Sequence, residues 1–354
     1  MILSCRDAKF CVSTQDFWSY PNPIYRVKYQ ELLIKFMSNS PLIPQPNSND
    51  AQEAVLTPLT QATIQRAKEG VAYARDRHAN EIIRQALQEA EAIAEGGSEH
   101  KVSGQMRRKV IRSLIHSLFW VKVEFSERIP TQPVLIAANH LNHIDPFLLL
   151  SELPAHPYTY IFGDARTLYN QWWKRQFLHL AKGVIPIERI WKEELAVIQA
   201  AKTGDEDLAE LADAIEKYVP TGNSIELMRR LDRIVQGIFA RGESIILFPE
   251  GRLGNAEAQL FVPLKRGVAI YALRSGVPIL PVVLVGTQDL YLCKQLTVRF
   301  GKLIISSQSS RPKAQEIQVI VDQLEVALMD LLPKDYQEPK EPKLLHHFLN
   351  HMFW

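Results

Sequence analysis

The chain has 354 residues, 46% of them hydrophobic and 23% charged, the balance of an ordinary globular protein with ample material for a core. Its formal net charge is only +2, so overall charge gives no reason to expect nucleic acid or another polyanion as a partner. The three cysteines, Cys5, Cys11 and Cys293, suggest neither a disulfide framework nor a zinc site and suit a reducing compartment. The length predicts one large domain with an appendage.

The N-terminal stretch "MILSCRDAKFCVSTQDF" is charged early and lacks the apolar run of a signal peptide. No run of about 18 apolar residues occurs without a charge, so no transmembrane helix is expected. Residues 1–40 are aromatic and mixed, and "SPLIPQPNSNDAQEAVLTPLT" reads as a linker. Residues 58–95, rich in Ala, Glu, Gln and Arg, predict one long helix ended by Gly96 and Gly97. Its Ala-rich stripe suits packing on the main domain or on another chain. Residues 1–100 thus read as an N-terminal extension.

Next comes "KVSGQMRRKVIRS", with Lys101, Arg107, Arg108, Lys109 and Arg112 and no acid, running into "LIHSLFWVKV". A basic stripe beside an apolar, aromatic stretch suits an anionic membrane surface. A solvated helix face packed on the core is the plainer alternative.

Strands are predicted at 133–138, 158–162, 183–187, 244–248, 278–285 and 296–301. Helices are predicted around 146–153, 168–181, 192–217, 224–241 and 264–275. Runs such as "SIILF" and "VVLV" do not alternate, as in strands covered on both faces. The expected fold is α/β, a central and mostly parallel sheet flanked by helices, with a helical N-terminal extension. Residues 101–310 make the main domain. A closing helix then places Ile317, Ile320, Leu324, Leu328 and Leu331 on one face. The tail "LLHHFLNHMFW" suits either docking on the core or an interface where Trp and Phe are at home. Residues 311–354 form this C-terminal part.

The stretch most in need of explanation is "VLIAANHLNHIDPFLLL", Val134–Leu150. His140, His143 and Asp145 stand at the mouth of a buried strand. As metal ligands they crowd one turn and lack the spacing of a zinc site, so no metal is expected. As plain structure, Asp145 caps a helix with Pro146 in its first position. As chemistry, the strand delivers His140 to the sheet edge where α/β folds place their sites, and Asp145 turns back to reach the imidazole. Such a dyad activates a substrate hydroxyl, as a triad does without its serine.

"NHLNHID" resembles the N-H-x-x-x-x-D block of the glycerolipid acyltransferases, the lysophosphatidate and lysophospholipid acyltransferase superfamily. "GVIPIER" (183–189), "FPEGR" (248–252) and "GVPILPVVLVG" (276–286) resemble the second, third and fourth blocks, in family order. "LKRGVAIYAL", with Lys265, is similar to the basic-Gly helix start. The resemblance spans about residues 105–305. It implies an enzyme that moves a fatty acyl group from a thioester, acyl-coenzyme A or acyl carrier protein, to a hydroxyl of a lysophosphatidate-type glycerolipid. No further cofactor is implied. It implies His140 as general base and Asp145 as its orienting carboxylate. Arg189 and Arg252 would meet the acceptor phosphate, and Lys265 would be a further substrate-binding residue. Glu250 would hydrogen-bond a glycerol hydroxyl, and Gly251 would allow close backbone approach. The expected setting is cytoplasmic, against a membrane surface, as a peripheral protein in phospholipid synthesis.

Two departures leave alternatives. The third block reads E-G-R-L-G, its arginine one place earlier than usual, which keeps glycerol 3-phosphate, another lysophospholipid or a non-phosphate alcohol open as acceptor. Between Arg189 and Phe248 lie 58 residues, an insert at about 190–223 that suits a lid, a carrier-protein docking face or surface decoration. A non-catalytic lipid-binding protein on the same fold is the alternative of another class.

Overall fold

Four apolar residues in a row, Leu135–Ala138, form the strand from which the molecule is built: all are buried, and successive side chains enter opposite layers. The computed structural model describes residues 57–97, 102–168, 183–220, 225–340 and 342–351. The N-terminal stretch with Cys5 and Cys11, most of the linker, Lys101, all but the first residue of the helix expected around 168–181 and the last three residues lie outside them. Glu53–Trp354 form one compact unit.

The strands are β1 (Trp120–Glu124), β2 (Leu135–Ala138), β3 (Thr159–Asp164), β4 (Val184–Ile187), β5 (Ser244–Leu247), β6 (Ile279–Val285) and β7 (Gln295–Phe300). They make one seven-stranded sheet in the order β1-β7-β6-β2-β5-β3-β4. Every neighbouring pair is parallel except β6 with β7. Leu135 pairs with Ile245 on one side and Ile279 on the other, so β2 is the central strand. The mostly parallel α/β sheet is the expected fold, and all the expected strands are present. β1 was not foreseen. It is a half-buried edge strand, and "WVKVE" follows a basic helix without a turn signal.

The helices are α1 (Gln61–Arg75), α2 (Arg77–Ala94), α3 (Gly104–Leu118), α4 (Asp145–Glu152), a single turn α5 (Ala165–Leu168), α6 (Lys192–Lys202), α7 (Ala209–Tyr218), α8 (Ile225–Ala240), α9 (Gly267–Ser275), α10 (Ala314–Leu331) and α11 (His346–His351). One face of the sheet offers Leu135, Ala137, Ile245 and Ile279 to α2, α8, α9 and α10. The other offers Ile136, Ala138, Ile246 and Leu280 to α3, α4 and α11. Ile320, Leu324 and Leu328 of the closing helix are buried, with Ile317 and Leu331 against the same cluster.

The long helix expected over 58–95 is two helices. Asp76 accepts hydrogen bonds from the N–H groups of His78 and Ala79 at 3.0 and 3.1 Å and caps α2, which breaks the run. The insert likewise splits into α6 and α7, with Gly204 at φ +109° between them. Its apolar side does not face solvent. Val197, Leu208, Ala212 and Ile215 pack on Ala67, Val71 and Ala74 of α1 as a separate small core. At Gly70 of that seam an added Cβ would stand 2.1 Å from Oε1 of Glu194, so only glycine fits. No helix among the described residues is long and apolar enough to cross a membrane.

Candidate active site

β2 ends at Ala138, and the next two residues begin the site. Asn139 is fully buried and clips β2 to β6: its Oδ1 accepts from the N–H of Leu284 at 2.7 Å, and its Nδ2 donates to the Leu284 carbonyl at 3.0 Å. That clip sets where His140 leaves the sheet, at the carboxyl edge of the parallel strands.

His140 is held on every side. Its Nδ1 lies 2.9 Å from Oδ2 of Asp145. Its ring stacks on Phe248, the centroids 4.0 Å apart and the planes 19° apart. Its N–H donates to Oε1 of Glu250 at 2.9 Å, and its carbonyl accepts from the N–H of Gly254 at 2.6 Å. The imidazole keeps 17% of its surface open while the Asp145 side chain has none.

Asp145 joins two of the alternatives weighed above. It is the first residue of α4, one place later than a cap. Its carboxylate points backwards, and Oδ2 also accepts from the N–H groups of Leu141 and Asn142 at 2.6 and 2.8 Å. The same oxygen therefore shapes the turn and orients the imidazole. His143 meets His140 edge to face, with ring centroids 6.3 Å apart. Among the described residues no three His, Cys, Asp or Glu side chains gather as a metal-binding group.

Glu250 points into the protein. It is fully buried, and both of its oxygens are occupied by main-chain donors: His140 on Oε1, and Phe261 at 2.9 Å on Oε2. Burial pushes its carboxyl above the ordinary value, against the lowering effect of those two amides. It braces the loop after β5 against the loop after β2. Glu257 continues the brace. Its oxygens accept from Gln288 at 2.8 Å and Gly286 at 3.0 Å, tying the same loop to the end of β6.

The basic residues gather around Gly251. This glycine sits at φ +69°, where an added Cβ would come within 3.0 Å of Cε of Lys265. Arg189, just past β4, donates to the Gly251 carbonyl through Nη1 and to Oδ2 of Asp164 through Nε at 3.0 Å. Arg252 lays its guanidinium 3.2 Å from the ring centre of Phe261, with Nε buried and no hydrogen-bond partner among the described residues. Thus Arg189 and Lys265 meet at Gly251 and Arg252 follows it, in the loop whose Glu250 and Gly254 bond the His140 main chain.

Sequence reading missed what supports Arg189. Burial pushes the Asp164 carboxyl up, but the Arg189 and Arg166 guanidiniums beside it outweigh this and hold it below its usual value. Arg166 donates from Nη2 to the Arg189 carbonyl at 2.6 Å and to Oε2 of the fully buried Glu194 at 2.9 Å. "GDAR" directly after a predicted strand was the available signal. A separate cleft of about 660 Å³ opens at the opposite edge of the sheet, lined by Gly104, His156, Tyr158 and Glu243 among others. None of the residues described above faces it.

A family model described as Acyltransferase matches residues 120–285, from the first residue of β1 to the last of β6. The 1-acyl-sn-glycerophosphate (LPA) acyltransferase PlsC from Thermotoga maritima is similar in structure, with TM-score 0.37 and 14% identity over 80% of this chain and 95% of that chain. No curated protein matches the chain.

Proposed function

We propose that the protein transfers a fatty acyl group from acyl-coenzyme A or acyl carrier protein to a hydroxyl of a lysophosphatidate-type glycerolipid, working as a peripheral protein at a membrane. The observation that carries this reading is the 2.9 Å contact between Nδ1 of His140 and Oδ2 of Asp145 on a partly open imidazole.

With Nδ1–H donating to the carboxylate, Nε2 keeps its lone pair. Nε2 takes the proton of the acceptor hydroxyl as its oxygen attacks the thioester carbonyl, help of roughly 10²–10⁴ in rate. Asp145 steadies the imidazolium so formed. The tetrahedral intermediate collapses by breaking the carbon–sulfur bond, and the leaving thiolate takes the proton back from Nε2. The products are the ester and the free thiol, and no protein nucleophile takes part.

Arg189, Arg252 and Lys265 supply fixed positive charge around Gly251, which suits the phosphate of the acceptor. Gly251 lets the acceptor pass close to the main chain. Glu250 acts through His140, as a positioning residue.

The test is release of free thiol by the purified protein from acyl-coenzyme A and acyl carrier protein donors, offered lysophosphatidate, other lysophospholipids, glycerol 3-phosphate and non-phosphate alcohols. The reading expects turnover that is fastest with lysophosphatidate and abolished by His140→Ala. Turnover unaffected by that change overturns the mechanism. Lipid binding without thiol release from any donor returns the protein to the non-catalytic class.

A further inference from the structure

The arginines of α3 bond the protein itself, and two of them meet the far end of the helix that carries Asp145. Arg108 donates from Nε to the Leu153 carbonyl at 2.7 Å, and Arg112 donates from Nη1 to the Ser151 carbonyl at 3.2 Å. Both carbonyls lie at the C-terminal end of α4. There the last carbonyls of a helix have no partner within it, and positive charge is favourable. Arg107, itself buried, ties α3 to the first residue of β3 by donating to the Thr159 carbonyl at 2.9 Å. The arginines of the basic stripe are therefore taken up within the fold.

At the centre of this contact is Glu152, the last residue of α4. Its side chain is 3% exposed. Oε2 accepts from Arg112, while Oε1 accepts from the Ser151 hydroxyl at 2.9 Å and lies 2.8 Å from Nε2 of His116. Burial pushes this carboxyl up, but the bonds from His116, Arg112 and Ser151 outweigh it and hold the group below its ordinary value. A buried anion at the C-terminal end of a helix opposes the helix dipole, so Glu152 depends on the partners that α3 brings. The reaction proposed above gives this acid no task.

Glu152 and Asp145 stand at the two ends of α4, close to two full turns and about 10 Å apart along its axis. Between them Leu148 and Leu149 are buried in the same cluster as Ile111 and Ile115 of α3. Apolar contacts of this kind are non-directional and let a helix slide or turn. Charged hydrogen bonds at its end do not. We infer that Glu152, with Arg112 and His116 of α3, is a positioning group for the base: it fixes the register of α4 and so the contact of Asp145 with His140. The inference deepens the acyltransferase reading and rests on it for the task of His140. A misplacement of about 1 Å costs roughly 10² in rate, so a contact at one end of α4 governs turnover at the other.

The test joins a kinetic cycle to a spectroscopic signature, on the full chain. Glu152→Gln keeps the side-chain shape and removes its charge, and Arg112→Ala removes the partly exposed partner. A cooperative urea transition shows that each variant is folded. Each is expected to lower kcat for thiol release about tenfold, with the acceptor KM within about twofold of the parent. In an Asp145→Asn background the same changes are expected to lower kcat by less than about twofold, because the contact through which they act is already gone. Losses that multiply in full show Glu152 acting on stability alone and overturn the inference. NMR reads the contact without turnover. The imidazole Cε1–H resonance of His140, identified by its loss in His140→Ala, is expected to move in both variants. A resonance unmoved in both overturns the inference, whether or not thiol is released. A resonance that moves in a protein releasing no thiol sinks the enzymatic reading and leaves the positioning of the His140–Asp145 pair standing.

Discussion

Glu250 reaches across 110 residues of sequence to accept the main-chain N–H of His140 at 2.9 Å, and the carboxylate that does so is fully buried. The base is thus located by one acid through its main chain and oriented by another, Asp145, through its ring. The two contacts fail in different ways, which makes them separable by mutation.

Asp145→Asn keeps an oxygen that can accept from Leu141 and Asn142, so the turn survives. It removes the charge that steadies the imidazolium. The expected loss in kcat is roughly 10²–10⁴, with the acceptor KM and the unfolding midpoint little changed. A parallel drop in stability and activity would assign Asp145 to the turn alone.

Glu250→Gln leaves one acceptor for two amides, and its NH₂ group then opposes a donor. The expected cost is about 1–3 kcal/mol, with kcat lowered as the His140 main chain loosens. The pH dependence carries a sign. Burial raises the folded carboxyl above its ordinary value. Its contribution is therefore present below the unfolded value of 4.5 and is lost as pH rises through the folded one. Urea unfolding from acid to neutral pH should lose that decline in the glutamine variant. Glu257, also raised by burial, has the same sign, so the double glutamine variant should flatten the profile further.

Arg189→Ala is expected to raise KM for a phosphate-bearing acceptor about tenfold or more, at about 1.5–3 kcal/mol for a hydrogen bond to a charged group. A non-phosphate alcohol should be nearly indifferent to the change. The variant has a second readout. Asp164 is held below its ordinary value, so it stabilises the fold above the unfolded value of 3.8 and loses this as pH falls through the folded one. Removing Arg189 should move acid unfolding to higher pH. If neither quantity moves, the guanidinium meets neither phosphate nor Asp164.

Gly70→Ala places a methyl group 2.1 Å from Glu194 Oε1 and 3.1 Å from the Trp191 ring. Overpacking of this kind costs about 1–3 kcal/mol. Because Glu194 holds Arg166, which in turn holds the Arg189 carbonyl, the acceptor KM should also rise. A stability loss with unchanged KM would show that the small N-terminal core and the site are independent.

Much of this was legible in advance because strands buried on both faces and ordered motif blocks leave strong local signals. β2 through β7 and the pairing of His140 with Asp145 were read directly. What escaped depends on contacts between distant segments. Nothing local marks Glu250 as pointing inward, because "PEG" reads equally as an exposed turn. Asp76 was hidden in a helix-forming context, although its capping is strictly local. The partnership of α1 with the insert was unreadable, since each half presents only a weak alanine stripe until the other is in place.

That partnership has a practical corollary. The two segments are separated by more than a hundred positions yet share a single dry seam, so they rise or fall as one module. Excising 190–223 bares α1, and a chain begun after Arg75 bares the insert. Either trimmed protein is left with a sticky furrow and a loosened Arg166, and is expected to aggregate before its chemistry can be measured.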